Sequence, residues 1–287
     1  MVELGLGFQS SQVVKASSLL KASIQNEHKI VLAFTGNIIS TGLREYICRL
    51  VKDDKVAAIV TNGAGIEEDL IKTFGSYRST EFDADFEKLI EDQQYRIGNL
   101  SVAYELYNKF EEFLDEHFEG AISDSSCDQT PGGVSKLLGK ATKSVESYLY
   151  WAHKNNTPVF CPTFHDGAIG DFLHDYRIQN PAYRLDFILE NVNLSKLICS
   201  FDTCGVLILG GGTSKHFTLN NSIIRGGFDW SVVISTATSY DGSDSGGNAS
   251  EAKTWGKIKP TGESVHIFAE ATLVFPQLAE IILAEKL

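Results

Sequence analysis

Six short apolar runs, several rich in β-branched residues, recur along the chain: "KIVLAFT" at 29–35, "VAAIVT" at 56–61, "PVFCP" at 158–162, "CGVLILG" at 204–210, "WSVVIST" at 230–236 and "SVHIFA" at 264–269. They are apolar on both faces rather than alternating, which is the pattern of strands buried inside a parallel sheet. Amphipathic stretches with helical spacing lie between them, at 40–51, 66–73, 100–117, 135–153, 183–191, 214–225 and 271–287. Strand and helix alternating in this way predict a doubly wound α/β fold, with a mainly parallel sheet and helices on both faces. The interval 75–130 is rich in charge, as in "EFDADFEKLIEDQQYRIGN", and poor in strand signal, so it predicts a helical excursion from the sheet. With no Pro/Ser linker and no internal repeat, residues 1–287 are expected to form one domain.

Composition narrows the partners more than the fold. A chain that is 43% hydrophobic and 22% charged is globular, not disordered. No apolar run approaches the roughly eighteen residues of a membrane span, and "MVELGLGFQSSQ" lacks the basic and apolar regions of a leader, so a cytoplasmic location is expected. The formal charge of −12 repels nucleic-acid phosphates and favours cationic ligands such as polyamines, basic peptides or metals. Cys48, Cys127, Cys161, Cys199 and Cys204 form no pair with the two-residue spacing of zinc or redox sites. Reduced and mostly buried thiols are expected, with no metal centre and no catalytic cysteine; Cys199 and Cys204 read as small hydrophobes.

In open α/β sheets the ligand lies beyond the carboxyl ends of the strands. There the chain carries Gly36-Asn37-Ile38-Ile39-Ser40-Thr41-Gly42, then Asn62-Gly63-Ala64-Gly65, then Asp166-Gly167-Ala168-Ile169-Gly170-Asp171, then Gly210-Gly211-Gly212-Thr213, then Ala237. Small residues at these points let backbone amides approach phosphates and hydroxyls. The glycine run is not G-x-G-x-x-G, and alone it suits a tight turn as well as a nucleotide site. Glu68, Asp171, Asp244 and Glu251 would concentrate negative charge, which is favourable only around a cation. Each of them alone reads as a helix cap or a solvated loop residue. Lys257, in "TWGKIK", stands between an indole and an aliphatic run, although by itself it reads as a solvated strand-edge lysine.

Taken together, "GNIISTG", "EEDLIK", "RIGNL", "DGAIGD", "LILGGGTSKH", "TATSYDGSDSG", "EAKTWGKIK" and "LVFP" resemble the deoxyhypusine synthase family in order and spacing, from about Gly7 to the end of the chain. The resemblance implies a Rossmann-like fold and a homotetramer of tight dimers, with active sites at the dimer interface. It implies NAD as cofactor and spermidine as substrate. In the implied reaction spermidine is oxidised and 1,3-diaminopropane leaves. The aminobutyl group then passes, through an imine on an enzyme lysine, to one lysine of a translation initiation factor precursor, where it is reduced.

By position, the resemblance makes Lys257 the imine-forming lysine. Only a neutral amine attacks an imine carbon, and an ordinary lysine is roughly 0.1% neutral at pH 7.4, so shielding by Trp255 is expected to help. Trp255 would also lie along the polyamine chain. His216 matches the base that takes a proton from the spermidine nitrogen. Glu68, Asp171, Asp244 and Glu251 match amine-binding residues, with Asn220, Gly242 and Ser243 lining the pocket. Asn37, Ser40, Glu68, Asp166, Gly211, Thr236, Ala237, Glu270 and Ala271 match the NAD contacts.

Four positions depart from the family pattern. Gly36 stands where a serine is usual, Gly63 where an alanine is, Glu270 where an aspartate is and His165 where a threonine is more common. The N-terminal extension that caps the partner's active site in the family is expected to be absent. A homospermidine synthase, with putrescine as acceptor, would use the same chemistry and the same lysine. A non-catalytic subunit of a heteromeric synthase is a third reading, which intact Lys257, His216 and carboxylates oppose. Neither nucleic acid nor membrane is an expected partner.

Overall fold

A computed structural model describes residues 7–123, 129–240 and 242–285. Its strands are β1 (Lys29–Phe34), β2 (Ala58–Val60), β3 (Arg78–Ser79), β4 (Gln94–Ile97), β5 (Leu100–Ala103), β6 (Val159–Phe160), β7 (Cys204–Leu209), β8 (Phe228–Ser235) and β9 (Ile258–Phe268). Its helices are α1 (Phe8–Gln25), α2 (Asn37–Ser40), α3 (Arg44–Lys52), α4 (Gly63–Ile71), α5 (Phe86–Glu91), α6 (Tyr104–Ser123), α7 (Pro131–Ala141), α8 (Tyr148–Asn155), α9 (Ala168–Gln179), α10 (Phe187–Cys199), α11 (Gly212–Asn221), α12 (Ala249–Thr254) and α13 (Ala271–Ala284).

All six predicted strands join one sheet in the order β6-β2-β1-β7-β8-β9, and every pairing in it is parallel. The chain winds outward from β1 in one direction and from β7 in the other, so the order reverses between these two strands. That reversal opens a crevice at their carboxyl ends. Their register, Lys29 opposite Cys204 through Phe34 opposite Leu209, brings Thr35 and Gly210 to its mouth. Alternate side chains feed two cores. Leu32, Phe34, Leu207 and Leu209 enter the larger one with α1, α3, α8 and α13, while Val31, Ala33, Val206 and Ile208 enter a smaller one under α10 and α11. Burial on both faces is why these strands read as unbroken apolar runs.

The interval 75–130 differs from expectation. Besides α5 and α6 it holds a second, antiparallel sheet, β3-β5-β4, with Ile97 opposite Leu100 across a two-residue turn. Gly98 takes φ +59 there, a conformation that suits glycine and tight hairpins. The helix expected at 100–117 therefore starts only at Tyr104. The stretch 40–51 is broken at Thr41, whose hydroxyl donates to Ile38 O and accepts from Leu43 N. Residues 135–153 divide into α7 and α8, the second capped by Ser147. The helix expected at 183–191 starts instead behind the Asp186 cap, which accepts from Leu189 N at 2.7 Å. Of the cysteines, Cys48, Cys161 and Cys204 are buried, Cys199 is exposed, against expectation, and Cys127 lies outside the described residues, as do residues 286–287, where the helix expected at 271–287 was to end. Burial pushes the Cys48 and Cys204 thiols up to about 12. Among the described residues no helix is long and apolar enough to cross a membrane.

Candidate active site

The crevice is real and its walls are the strand ends. A cavity of about 310 Å³ is lined by Thr35, Ile38, Gly210, Gly211, Thr236, Ala237, Ser245, Glu270 and Ala271, so Gly211, Thr236, Ala237, Glu270 and Ala271 share one cleft. Gly210 has φ +87, and a Cβ on Gly211 would come within 2.5 Å of Ser245. This bare backbone leads straight into α11, whose first amide, Gly212 N, donates to Ser245 Oγ at 2.8 Å. Glu270 caps α13 by accepting from Thr272 N at 2.9 Å through Oε2, which leaves Oε1 for a ligand hydroxyl. Backbone free of side chains, a helix start and a carboxylate at the rim fit a dinucleotide. Asn37 and Ser40 lie on α2, whose Ile38 reaches the same cleft.

His216 projects from the first turns of α11. Its Nδ1 donates to Asp244 Oδ1 at 2.8 Å, and Asn220 Nδ2 donates to its Nε2 at 2.6 Å. Asp244 thereby selects the tautomer whose Nε2 is the acceptor. The residue behind this arrangement is one the sequence did not flag. Lys215, 3% exposed, donates to the carbonyls of Asp244, Ser245 and Gly247 and ties the Asp244 turn to α11. In sequence it reads as one more lysine, since nothing local shows that it points inward.

Glu68 lies on α4, which packs behind α2 at the cleft, and it is 3% exposed; it accepts from Tyr77 Oη at 2.5 Å and from Tyr107 Oη at 3.0 Å. Burial raises its pKa, and the phenol bonds and nearby Lys72 work against that rise. Tyr107 and Asp171 both line a cavity of about 430 Å³ between α6 and α9. Neither tyrosine was among the sequence candidates, because they lie 9 and 39 positions away from Glu68.

The four carboxylates do not converge within one chain. Asp171 follows β6 and Asp244 follows β8, four strand spacings apart, or about 19 Å. Among the described residues no three His, Cys, Asp or Glu side chains gather as a metal ion would require. Lys257 also lies away from the cleft. It precedes β9, and its carbonyl accepts from Phe228 N at 3.1 Å, at the amino end of the sheet. The length of β8 puts about 26 Å between that point and Thr236. Ser222 Oγ donates to the Lys257 carbonyl at 2.7 Å, which fixes the lysine backbone beneath α11, the helix of His216 and Asn220. Trp255 is 64% exposed and Glu251 is also exposed, so the indole gives Lys257 little shelter in a single chain. Gly242 and Ser243 lie in the exposed turn before Asp244.

The departures have structural reasons. A Cβ on Gly36 would meet Ala64 Cβ at 2.3 Å, and one on Gly63 would meet Asp166 O at 2.1 Å. Both glycines therefore let neighbouring strand-end segments touch, and the second brings the Asp166 backbone against α4. His165 packs edge-on against Phe187, with ring centroids 5.3 Å apart.

Glu67, next to Glu68, is 5% exposed and accepts from Ile169 N at 3.0 Å, capping the helix that carries Asp171. Burial pushes its pKa up to about 7. A carboxyl whose folded pKa lies above its unfolded value adds stability that is full below about pH 4.5 and is lost as pH rises through about 7. Glu67→Gln removes that dependence. Urea unfolding at pH 5 and pH 8 should move the stability difference in favour of the variant by roughly 2–3 kcal/mol on going to pH 8; a constant difference would contradict it.

A twisted parallel sheet with a glycine-lined cleft at its switch point defines a Rossmann-like α/β protein. Comparison with known proteins gives the particular group. The deoxyhypusine synthase family model matches residues 2–282. Homospermidine synthase 2 of Senecio vernalis is 40% identical over 265 residues, covering 90% of this chain and 72% of that protein. The deoxyhypusine synthase of the same plant is 39% identical over 263 residues, covering 90% and 71%. In fold, a crystal structure of an Entamoeba histolytica protein assigned as a deoxyhypusine synthase superposes with a TM-score of 0.70 at 24% identity, over 96% of this chain and 88% of that one. The chain belongs to the deoxyhypusine synthase family, a transferase type.

Proposed function

We propose that the protein transfers the aminobutyl group of spermidine to a lysine of a translation initiation factor precursor, with NAD as cofactor. The observation that carries this reading is the hydrogen-bonded line Asp244–His216–Asn220, presented by a chain that also carries a glycine-lined cleft at its sheet's switch point. Asn37, Ser40, Glu68, Asp166, Gly211, Thr236, Ala237, Glu270 and Ala271 would hold NAD, which when bound supplies the oxidation and the later reduction. His216 Nε2 takes a proton from the substrate amine once Asn220 gives way, and Asp244 stabilises the resulting imidazolium. Asp171, Asp244 and Glu251 hold the cationic amines, and Trp255 lies along the chain between them. Lys257, as a neutral amine, receives the four-carbon fragment.

Because Lys257 and the cleft of one chain lie at opposite ends of the sheet, the reading calls for two copies. The α11–α12 face of one, with His216, Asn220, Asp244, Glu251 and Trp255, would close against the cleft side of another. Each chain acts as one domain in a homotetramer, in the cytoplasm.

A second reading has its own support, since homospermidine synthases stand beside deoxyhypusine synthases among the relatives at 40% and 39% identity. Both readings use the same residues and differ only in acceptor. The enzyme given spermidine and NAD, with the factor precursor and putrescine in separate reactions, should modify the precursor far faster than it makes homospermidine. The reverse preference would establish the second reading, and no product with either acceptor would remove both.

A further inference from the structure

Lys72, just beyond the end of α4, touches no ligand in the proposed reaction, yet its ammonium is fully used. Its Nζ donates to the carbonyls of Ile39, Ser40 and Thr41 at 3.0, 3.0 and 2.8 Å. These carbonyls close α2, a helix of four residues followed by extended backbone at Thr41, which is too short to satisfy them within itself. Three carbonyls meet the three hydrogens of one ammonium, a match that no neutral side chain reproduces.

Lys72 also stands four residues after Glu68, so both groups leave the same side of the α4 segment. The Tyr77 ring lies 5.4 Å from its Nζ, and the Tyr77 hydroxyl donates to Glu68. One connected set of contacts thus runs from the α2 turn through Lys72 and Tyr77 to Glu68.

We infer that Lys72 is a positioning residue that holds the Asn37–Thr41 turn in the place from which its exposed start, Asn37, meets the cofactor, with Ser40 buried behind it. This rests on the reading that the turn contacts NAD. Burial draws the Lys72 pKa down to about 8, so at neutral pH the ammonium is retained and all three bonds form.

Two measurements on Lys72→Met and Lys72→Arg test the inference. In the free protein, amide hydrogen exchange of residues 38–43 should quicken about tenfold or more in Lys72→Met while the β1 and β7 amides keep their protection, and Lys72→Arg should recover most of the loss. In calorimetric titration with NAD, Lys72→Met should bind about tenfold or more weakly, and at saturating NAD its kcat should stay within about threefold of the parent. Unchanged exchange in the turn, or loss of protection spread evenly over the sheet, overturns the positioning role. So does unchanged NAD affinity in Lys72→Met when the parent binds NAD. If the parent itself binds no NAD, it is the proposed function that fails, and exchange still decides whether Lys72 holds the turn.

Discussion

Lys257→Ala is expected to fold, to bind NAD and to lose aminobutyl transfer by at least about a thousandfold, the scale of removing a group that works in concert with others. The fold should survive because the contacts of Lys257 are made by its backbone: its N–H donates to Ala252 O, and its carbonyl accepts from Phe228 N and Ser222 Oγ. Alanine keeps all three. Lys257→Arg is equally informative, since a guanidinium preserves the positive charge but does not become a neutral nucleophile. Both variants should therefore be inactive, and both should fail to retain label from radioactive spermidine after borohydride treatment in the presence of NAD, whereas the parent retains it. Transfer above about a tenth of the parent rate in either variant would end the assignment. Mixing Lys257→Ala chains with Glu68→Gln chains gives a further readout. If each site joins the face of one chain to the cleft of another, random reassembly of two inactive proteins restores about a quarter of the sites.

The parallel sheet was legible because full burial writes itself into the sequence as apolar runs, and β1 and β7 are buried along almost their whole length. The hairpin of β4 and β5 was not, because strand β4 keeps two of its four residues exposed and reads as polar. Its one local signal, Gly98-Asn99 between "QYRI" and "LSVA", was available in the chain but was outweighed by the surrounding charge. The site divides in the same way. Residue types at the strand ends were readable, since small residues beyond a strand have a local cause. What surrounds them was not, because Lys215, Tyr77 and Tyr107 acquire meaning only through neighbours that the fold supplies. Spacing could not reveal that Lys257 sits at the amino end of the sheet, since α12 and β9 carry the chain away from the cleft before returning to it. The bareness of Trp255 has the same origin: its cover, in the proposed reading, belongs to another copy.

Asp69→Ala should be the most damaging single change to stability, costing about 3–5 kcal/mol in urea unfolding at neutral pH. Asp69 is fully buried on α4, beside Glu68. Its Oδ1 accepts from Arg44 Nε at 2.7 Å and Tyr148 N at 3.2 Å, and its Oδ2 from Ser147 Oγ at 2.5 Å and Leu149 N at 3.2 Å. One carboxylate thus satisfies a buried guanidinium and the opening amides of α8, and it joins α3, α4 and α8. Removing it strands the Arg44 charge, 7% exposed, and orphans two backbone donors, each a desolvation cost with no return. Arg44 also donates to the Asp69 main-chain carbonyl at 2.8 Å, and alanine retains that bond, so the loss should stay within the stated range. The double replacement Arg44→Met with Asp69→Leu should cost less than Asp69→Ala alone, because no unpaired charge is left inside. If Asp69→Ala cost under about 1 kcal/mol, or if the double variant were the worse of the two, the carboxylate would not be what holds α4 in place, and the exact setting of Glu68 would need another cause.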